Sequence, residues 1–138
     1  TKFTEVVMSD KTKEKIEWLK KLKNNGFTLG LVTTCMRKYL CILIEKLNIY
    51  DLFDCIIARE DVDNLKPSGD AYLKALNILN KTAEESLAIE DSKRGIEAAL
   101  AAKLKVVKVE EYTLVKFNDT RCIEFNSVDD FANKILKV

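Results

Sequence analysis

Short apolar runs that alternate with helical segments are the feature of this sequence that most restricts its fold. In the helical segments, apolar residues recur at the spacing that places them on one face of a helix. Short apolar strands separated by helices predict an α/β domain with a mainly parallel sheet. The helical segments are 10–25, 37–47, 68–79, 93–102 and 127–138, and the strand candidates are 27–34, 54–58, 86–90 and 104–109.

Polar residues mark several of the helix boundaries. Ser9 or Asp10 is expected to cap the first helix, and Ser68 is expected to cap the third. Thr82 followed by Glu85 has the spacing of a capping box, although only a short turn follows it. These signals fix the approximate places where helices begin.

The size and charge of the chain limit its class. A length of 138 residues predicts one domain that spans residues 1–138. With 23 basic and 22 acidic residues, the net charge is +1, which gives no electrostatic reason to expect nucleic acid or a membrane surface as partner. The apolar runs are too short to span a bilayer, and no signal-peptide pattern opens the sequence. We therefore expect a soluble, cytoplasmic protein.

Histidine is absent and cysteine is sparse. The absence of histidine excludes histidine-based zinc sites and any nucleophile activated by a histidine base. The four cysteines form no C-x-x-C pair and lie in or beside apolar stretches, so we expect them to be reduced and structural. An enzyme of this composition must use carboxylates, lysine or a hard metal ion.

Polar residues follow three of the strand candidates. Thr33 and Thr34 end the first, Lys66 ends the loop after the second, and Glu90 ends the third and is followed by Asp91. In parallel α/β sheets, ligands bind at the carboxyl ends of the strands. A hydroxyl, a lysine and two carboxylates at that edge are what a phosphate and Mg²⁺ require. The order and placement of these residues favour a phosphoryl-transfer site.

Each of these residues also has an ordinary structural interpretation. The threonines are common at strand ends, and a lysine before proline is most often a solvated loop residue. The segment 90–92 has the pattern of a helix start, where an acid is favourable without any metal. Only the combination of these residues favours the functional interpretation.

The spacing of these segments resembles the haloacid dehalogenase (HAD) superfamily. The likeness covers roughly residues 10 to 110 and is strongest to the branch that holds β-phosphoglucomutase and phosphoglycolate phosphatases. It implies a Rossmann-like, three-layer core. The resemblance rests on "LVTTCMRKYL", "LKPSGDAYLKAL" and "LAIEDSKRGIEAALAAKLKVVKV", which match the second, third and fourth motifs of the family, and on the connecting segment "LNIYDLFDCIIARED".

The resemblance implies a role for each matching residue. Thr33 would hydrogen-bond the transferring phosphoryl group, helped by the backbone N–H of Thr34. Lys66 would bridge the phosphoryl oxygens and the catalytic carboxylate. Asp91, with Glu90, would hold Mg²⁺ directly or through water. The implied substrate is a small phosphorylated metabolite, which the sequence does not identify further.

The resemblance also concerns the helix after the acid pair. Gly95 and four alanines (Ala98, Ala99, Ala101 and Ala102) would let this helix pack close to the sheet. Lys103 stands where the family usually has glycine. Glycine suits a left-handed helix end, so Lys103 is expected to cost some stability rather than function.

The first motif of the family has no counterpart in this sequence. That motif is an apolar strand ending in D-x-D, whose first aspartate attacks phosphorus, and no D-x-D occurs before Thr33. One explanation makes residues 1–9 the tail of a cap domain and the chain the C-terminal part of a longer protein. The other makes "TEVVMSDKT" a degraded first motif. The first is favoured, because a helix begins directly after Asp10 and leaves no room for the loop that follows the motif.

The absence of the first motif has a structural consequence. The strand that carries it lies centrally in the family's sheet, so the sheet is expected to be incomplete at that position. We hypothesise that residues 3–8, or another segment or chain, occupy or border the gap. The loss of this strand would otherwise leave ladder hydrogen bonds unmade.

Two functions from different classes remain open. The first is a Mg²⁺-dependent phosphatase or phosphomutase that uses an aspartyl-phosphate in its complete form, while this chain alone lacks the nucleophile and is inactive. The alternative is a catalytically inactive HAD-fold binding module. A receiver-type signalling domain is disfavoured, because its acid pair comes first and its Lys-Pro last, the reverse of the order seen here.

Overall fold

The structure is a computed structural model that describes residues 10–109 and 122–125. Helices and strands alternate along the described chain, as the sequence predicts. No helix in this part of the chain is both long and apolar enough to cross a membrane. The helices are α1 (Asp10–Asn24), α2 (Arg37–Leu47), α3 (Asp70–Leu79) and α4 (Lys93–Ala101), and the strands are β1 (Gly30–Val32), β2 (Cys55–Ile57), β3 (Leu87–Glu90), β4 (Lys105–Val109) and β5 (Cys122–Phe125). Single 3₁₀ turns occur at Tyr50–Leu52 and Arg59–Asp61.

The strands form two separate parallel sheets. One sheet pairs β1 with β2, and Leu31 lies opposite Ile56. The other has the order β3-β4-β5, with Ile89 opposite Val107 and Val107 opposite Ile123. All pairs are parallel, which confirms the α/β class. The strand β5 was not predicted, because an isolated run of four residues with one charge gives no clear period.

The predicted boundaries hold within a few residues for the elements that the structure describes. The strands are shorter than predicted, since β1 covers only three residues of the candidate 27–34. Thr82 makes only one half of the predicted capping box, because its N–H donates to Glu85 Oε1 at 2.9 Å and no helix follows. The predicted helix 127–138 and residues 1–9 lie outside the described residues, so both proposals for residues 1–9 remain predictions.

The cysteines agree with the reduced state expected from their spacing. The structure describes the side chains of Cys35, Cys41 and Cys55, and all three are free thiols. Cys55 is buried in β2, and burial raises the pKa of its thiol. This thiol therefore behaves as a small core residue rather than as a nucleophile.

Helix α4 packs on the sheet that contains β3 and β4. Ala98 and Ala99 are fully buried against this sheet, as predicted, and Ala102 is buried after the helix end. Ala101 differs, because it is exposed and borders the loop at Gly69. Small side chains thus bring the backbone of α4 close to the end of β3, which sets the position of the acid pair.

A gap separates the two sheets, and both of its walls are strand edges. A cavity of about 320 Å³ lies between them. Gly30 and Val32 of β1 line one side, Leu87 and Ile89 of β3 line the other, and α3 contributes its apolar face. Within the described residues β1 and β3 do not pair. Among residues 10–109 and 122–125, the sheet is therefore incomplete between β1 and β3, in agreement with the prediction.

Lys103 has the left-handed backbone conformation that the sequence suggested. Its φ is +68°, directly after the end of α4. A side chain in this region clashes with its own backbone, whereas glycine does not. Lys103→Gly should therefore raise the free energy of unfolding by about 0.5–1 kcal/mol, measured by urea denaturation.

A second lysine provides the matched control. Lys81 is exposed, follows the end of α3, and has no positive φ, so Lys81→Gly should leave stability unchanged or lower it. Equal losses of stability in the two variants would contradict the conformational explanation.

Candidate active site

The ends of β1 and β3 meet at the ammonium group of Lys66. Lys66 Nζ donates to the backbone oxygen of Val32 at 3.2 Å and to Glu90 Oε1 at 2.5 Å. Val32 ends β1 and Glu90 ends β3, so the carboxyl ends of both sheets lie within reach of one side chain. Three of the predicted strand-end positions are therefore neighbours in space. Lys66 precedes Pro67 through a cis peptide bond.

The ion pair between Lys66 and Glu90 is buried. The two side chains are 10% and 9% exposed. Water therefore screens this pair little, and each charge depends on the other for compensation. The interpretation of Lys66 as an ordinary solvated loop lysine does not fit this environment.

Tyr72 is a third member of this cluster, and the sequence analysis did not identify it. It lies in the first turn of α3, is buried, and donates its hydroxyl hydrogen to Glu90 Oε1. Its ring centroid lies 5.2 Å from Lys66 Nζ. Burial raises the pKa of the Tyr72 phenol well above 10, and the nearby charges of Glu90 and Asp91 raise it further. The phenol is therefore a permanent donor at ordinary pH.

A single signal in the sequence pointed to Tyr72. It occurs six residues after Lys66, inside the quoted third motif, on the helix that the motif begins. Position 72 lies at helical spacing from Leu76 and Leu79, and the Tyr72 ring is buried on that face of α3. The hydrogen bond to Glu90 could not be inferred, because it joins residues 18 positions apart.

Glu90 is held from the side of α4 as well. A Cβ atom placed on Gly95 would lie 2.0 Å from Glu90 Oε2, so only glycine leaves room for this carboxylate. The helix cap is provided by a different residue, because the Ser92 hydroxyl accepts from Gly95 N at 3.1 Å. The segment 90–92 therefore does begin a helix, as its pattern indicates, and the capping residue within it is Ser92 rather than Glu90 or Asp91.

Thr33 and Thr34 lie in the turn between β1 and α2. Thr33 N donates to the backbone oxygen of Ile57 at 2.9 Å, which continues the β1–β2 ladder by one residue. Its hydroxyl oxygen accepts from Cys35 N at 3.1 Å, so the hydroxyl proton remains able to donate elsewhere. Thr34 is exposed. This arrangement fits the predicted contact with an oxyanion, although no ligand tests the roles of the two threonines.

Asp91 follows Glu90 in the turn that leads into α4, and its side chain is partly exposed. Mg²⁺ in proteins usually takes one or two carboxylates together with water and phosphate oxygens. The pair of Asp91 and Glu90 fits that number of protein carboxylates. The described residues contain no cluster of three or more His, Cys, Asp or Glu side chains placed to hold a metal ion. Glu90 Oε1 already accepts from Lys66 and Tyr72, and Asp91 is the more exposed of the two carboxylates.

A second ionic cluster holds the beginning of the loop that carries Lys66. Asp61 accepts from Ala58 N at 2.7 Å and from the guanidinium group of Arg37, and these two bonds lower the pKa of its carboxyl group below 3.8. Both carboxylate oxygens of Glu60 lie 3.0 Å from Arg37 N at the start of α2. The cluster joins the end of β2 to α2 and thereby supports one wall of the site.

Comparisons with known proteins agree with this geometry. A family model described as haloacid dehalogenase-like hydrolase matches residues 3–109. The chain belongs to this family. Pyrophosphatase PpaX from Halalkalibacterium halodurans is 32% identical over 93 residues, which are 67% of this chain and 43% of the relative. Phosphoglycolate phosphatase from Salmonella typhi is 37% identical over 81 residues, 59% of this chain and 32% of the relative.

Solved structures show the same fold. A HAD-superfamily hydrolase from Ehrlichia chaffeensis superposes with a TM-score of 0.76 and 28% identity, and the match covers 88% of this chain and 56% of that one. The Rossmann-like fold and the likeness to the phosphoglycolate phosphatase branch are therefore confirmed. The chain spans about a third to a half of the length of the curated relatives it matches. The two curated relatives named above are a pyrophosphatase and a phosphoglycolate phosphatase.

Proposed function

We propose that this chain provides the phosphate-binding and metal-binding side of a Mg²⁺-dependent phosphoryl-transfer site for a small phosphorylated metabolite. The observation that carries the proposal is the meeting of the ends of β1 and β3 at Lys66. A cation, a hydroxyl and two carboxylates at one sheet edge suit a phosphate bridged to a metal ion. The names of the phosphatase relatives support the same class of reaction.

The proposed roles follow from the donors and charges of each residue. The Thr33 hydroxyl and the Thr34 N–H donate to phosphoryl oxygens, and Lys66 neutralises the charge that develops on them. Asp91 holds Mg²⁺ directly, and Glu90 adds its charge either directly or through water. When bound, the metal polarises the phosphoryl group and screens its charge. Lys66 and Thr33 are the residues that contact the reacting group.

The nucleophile of the complete enzyme has its natural place at the end of the gap between β1 and β3. We propose that a strand parallel to both edges fills this gap and carries an aspartate that forms the aspartyl-phosphate. A further segment of the protein or a second chain supplies the strand. A strand that fills the gap would pair with β1 on one side and β3 on the other, at the usual spacing of about 4.8 Å between neighbouring strands. This chain alone is then expected to bind phosphate weakly and to turn over no substrate.

Two measurements on the purified chain test the proposal. Calorimetric titration with orthophosphate should give binding that requires Mg²⁺, and Asp91→Asn should weaken it by at least about tenfold. Asp63→Asn is the matched control, because Asp63 is an exposed loop aspartate. Hydrolysis of p-nitrophenyl phosphate with Mg²⁺ should stay at background. Turnover that depends on Asp91 would contradict the proposal that this chain lacks the nucleophile. Equal loss of phosphate binding in Asp91→Asn and Asp63→Asn would contradict the metal role of Asp91.

The same titration distinguishes the alternative function, a non-catalytic binding module. A non-catalytic binding module with this fold need not bind phosphate or Mg²⁺ at the strand ends. If neither ligand binds to the folded chain, the proposed site fails and the binding-module function is favoured. The buried pairing of Lys66 with Glu90 supports the catalytic proposal, because a buried ion pair is costly to retain without a use.

A further inference from the structure

Two of the three N–H donors of Lys66 are already assigned within the described chain. One meets Val32 O at 3.2 Å and another meets Glu90 Oε1 at 2.5 Å. An ammonium group carries three donors in tetrahedral geometry, so two fixed bonds also fix the direction of the third. The placement of the remaining donor depends on how firmly Glu90 is held.

Glu90 is restrained by groups other than Lys66. Tyr72 donates to the same oxygen, Oε1, and the backbone of Gly95 closes against Oε2. The carboxylate is 9% exposed, so water does not readily replace these partners. Of the restraining groups, Tyr72 is the one whose side chain makes a hydrogen bond to Glu90 from another element.

Tyr72 is itself fixed in place. Its residue is 8% exposed and lies in the core cluster with Ala88 and Ile96. The start of its helix packs closely on the end of α4, where a Cβ atom on Gly69 would lie 3.1 Å from Ala102 N. Phenylalanine would fill the same space, and a buried hydroxyl is unfavourable unless it is hydrogen-bonded. The packing therefore accounts for the ring but not for the hydroxyl.

We propose that Tyr72 is a positioning residue: its hydroxyl holds the carboxylate of Glu90, which holds the Lys66 ammonium against the end of β1, so that the third donor of Lys66 meets an anionic ligand at a fixed place. The positioning itself can be measured without any ligand. Its use on a phosphoryl group rests on the proposed function.

Nuclear magnetic resonance of lysine ammonium groups tests the positioning directly. In the ¹⁵N-labelled chain, the Lys66 ammonium signal, assigned with Lys66→Arg, should exchange with water far more slowly than that of exposed Lys93. Tyr72→Phe should raise the Lys66 exchange rate by about fivefold or more, since one hydrogen bond of the network is lost. Tyr39→Phe on the exposed face of α2 should change nothing.

Several outcomes would overturn the positioning role. An unchanged Lys66 signal in folded Tyr72→Phe would assign Tyr72 to packing alone, and fast exchange in the unsubstituted chain would contradict a fixed ammonium. If Tyr72→Phe does not fold, Glu90→Gln gives the second test, because it weakens the hold on Lys66 without changing the shape of the side chain. Lys66 exchange as slow in Glu90→Gln as in the unsubstituted chain would then exclude the network.

Orthophosphate titration in the presence of Mg²⁺ separates this inference from the proposed function. Tyr72→Phe should weaken phosphate binding by about fivefold, while Tyr39→Phe should not. If the unsubstituted chain binds no phosphate but its Lys66 signal responds to Tyr72→Phe as expected, the positioning role stands and the proposed function fails. If phosphate binds equally to Tyr72→Phe and the unsubstituted chain, the positioning role fails and the proposed function stands.

Discussion

Lys66→Met should destabilise the chain by about 3–5 kcal/mol, because it leaves the buried carboxylate of Glu90 without its opposite charge. The pair is 10% and 9% exposed, so water cannot replace the missing ammonium without opening the site. Glu90→Ala should lower the free energy of unfolding by a comparable amount, because it leaves the buried Lys66 ammonium without its opposite charge. Urea denaturation at pH 7, followed by circular dichroism, measures both losses.

The double variant K66M/E90A isolates the pairing itself. Neither charge is then left uncompensated. The double variant should therefore lose less free energy of unfolding than the sum of the two single variants, by about 1–3 kcal/mol. Lys93→Met is the matched control, because its contact with Glu97 is long, at 3.9 Å, and exposed. That substitution should change stability by less than about 0.5 kcal/mol. Additive losses in the double variant would mean that Lys66 and Glu90 do not depend on each other.

Most of the fold could be predicted because each element is encoded locally. The apolar spacing of α2 is visible in a single segment of the sequence, and so are the glycine near the start of α4 and the alanines toward its end. Lys103 is a sharper case, since the family resemblance, with glycine usual at this position, implied a left-handed helix end, and this conformation is observed. The strand β5 was missed because its four residues gain their structure from pairing with β4, which is a tertiary effect.

The residues of the candidate site could be predicted, but the hydrogen bonds that join them could not. Strand ends of a parallel sheet meet at one edge, so Thr33, Lys66 and Glu90 could be grouped without a structure. The bond from Tyr72 to Glu90 could not, because it depends on how α3 and α4 pack together. The assignment of Glu90 as a metal ligand remains a prediction, and its pairing with Lys66 gives this residue a second role.

The gap between β1 and β3 bears on both the fold and the candidate site. The sequence predicted an incomplete sheet from a motif that it lacks, and the structure places the incompleteness between the two strands whose ends carry the site. The residues at these ends are nevertheless arranged, since Lys66 bridges Val32 and Glu90 across the end of the gap. The site therefore depends on side-chain pairing rather than on a continuous sheet.

Gly95→Ala should lower the free energy of unfolding by about 2–4 kcal/mol, although alanine normally favours a helix more than glycine does. The added Cβ atom would lie 2.0 Å from Glu90 Oε2 and 2.7 Å from Oε1, distances that no side chain tolerates. The carboxylate would have to move and would lose its bonds to Lys66 and Tyr72. Urea denaturation should therefore show a loss close to that of Glu90→Ala itself.

The background K66M/E90A gives this prediction its control and reverses its sign. The three atoms nearest to a Cβ at position 95 all belong to the Glu90 carboxyl group, which the double variant removes. Gly95→Ala should then become neutral or stabilise by up to about 1 kcal/mol. The change from loss to gain would identify Glu90 as the reason for glycine at this position. An equal loss in both backgrounds would instead assign the cost to the close approach of α4 to the sheet.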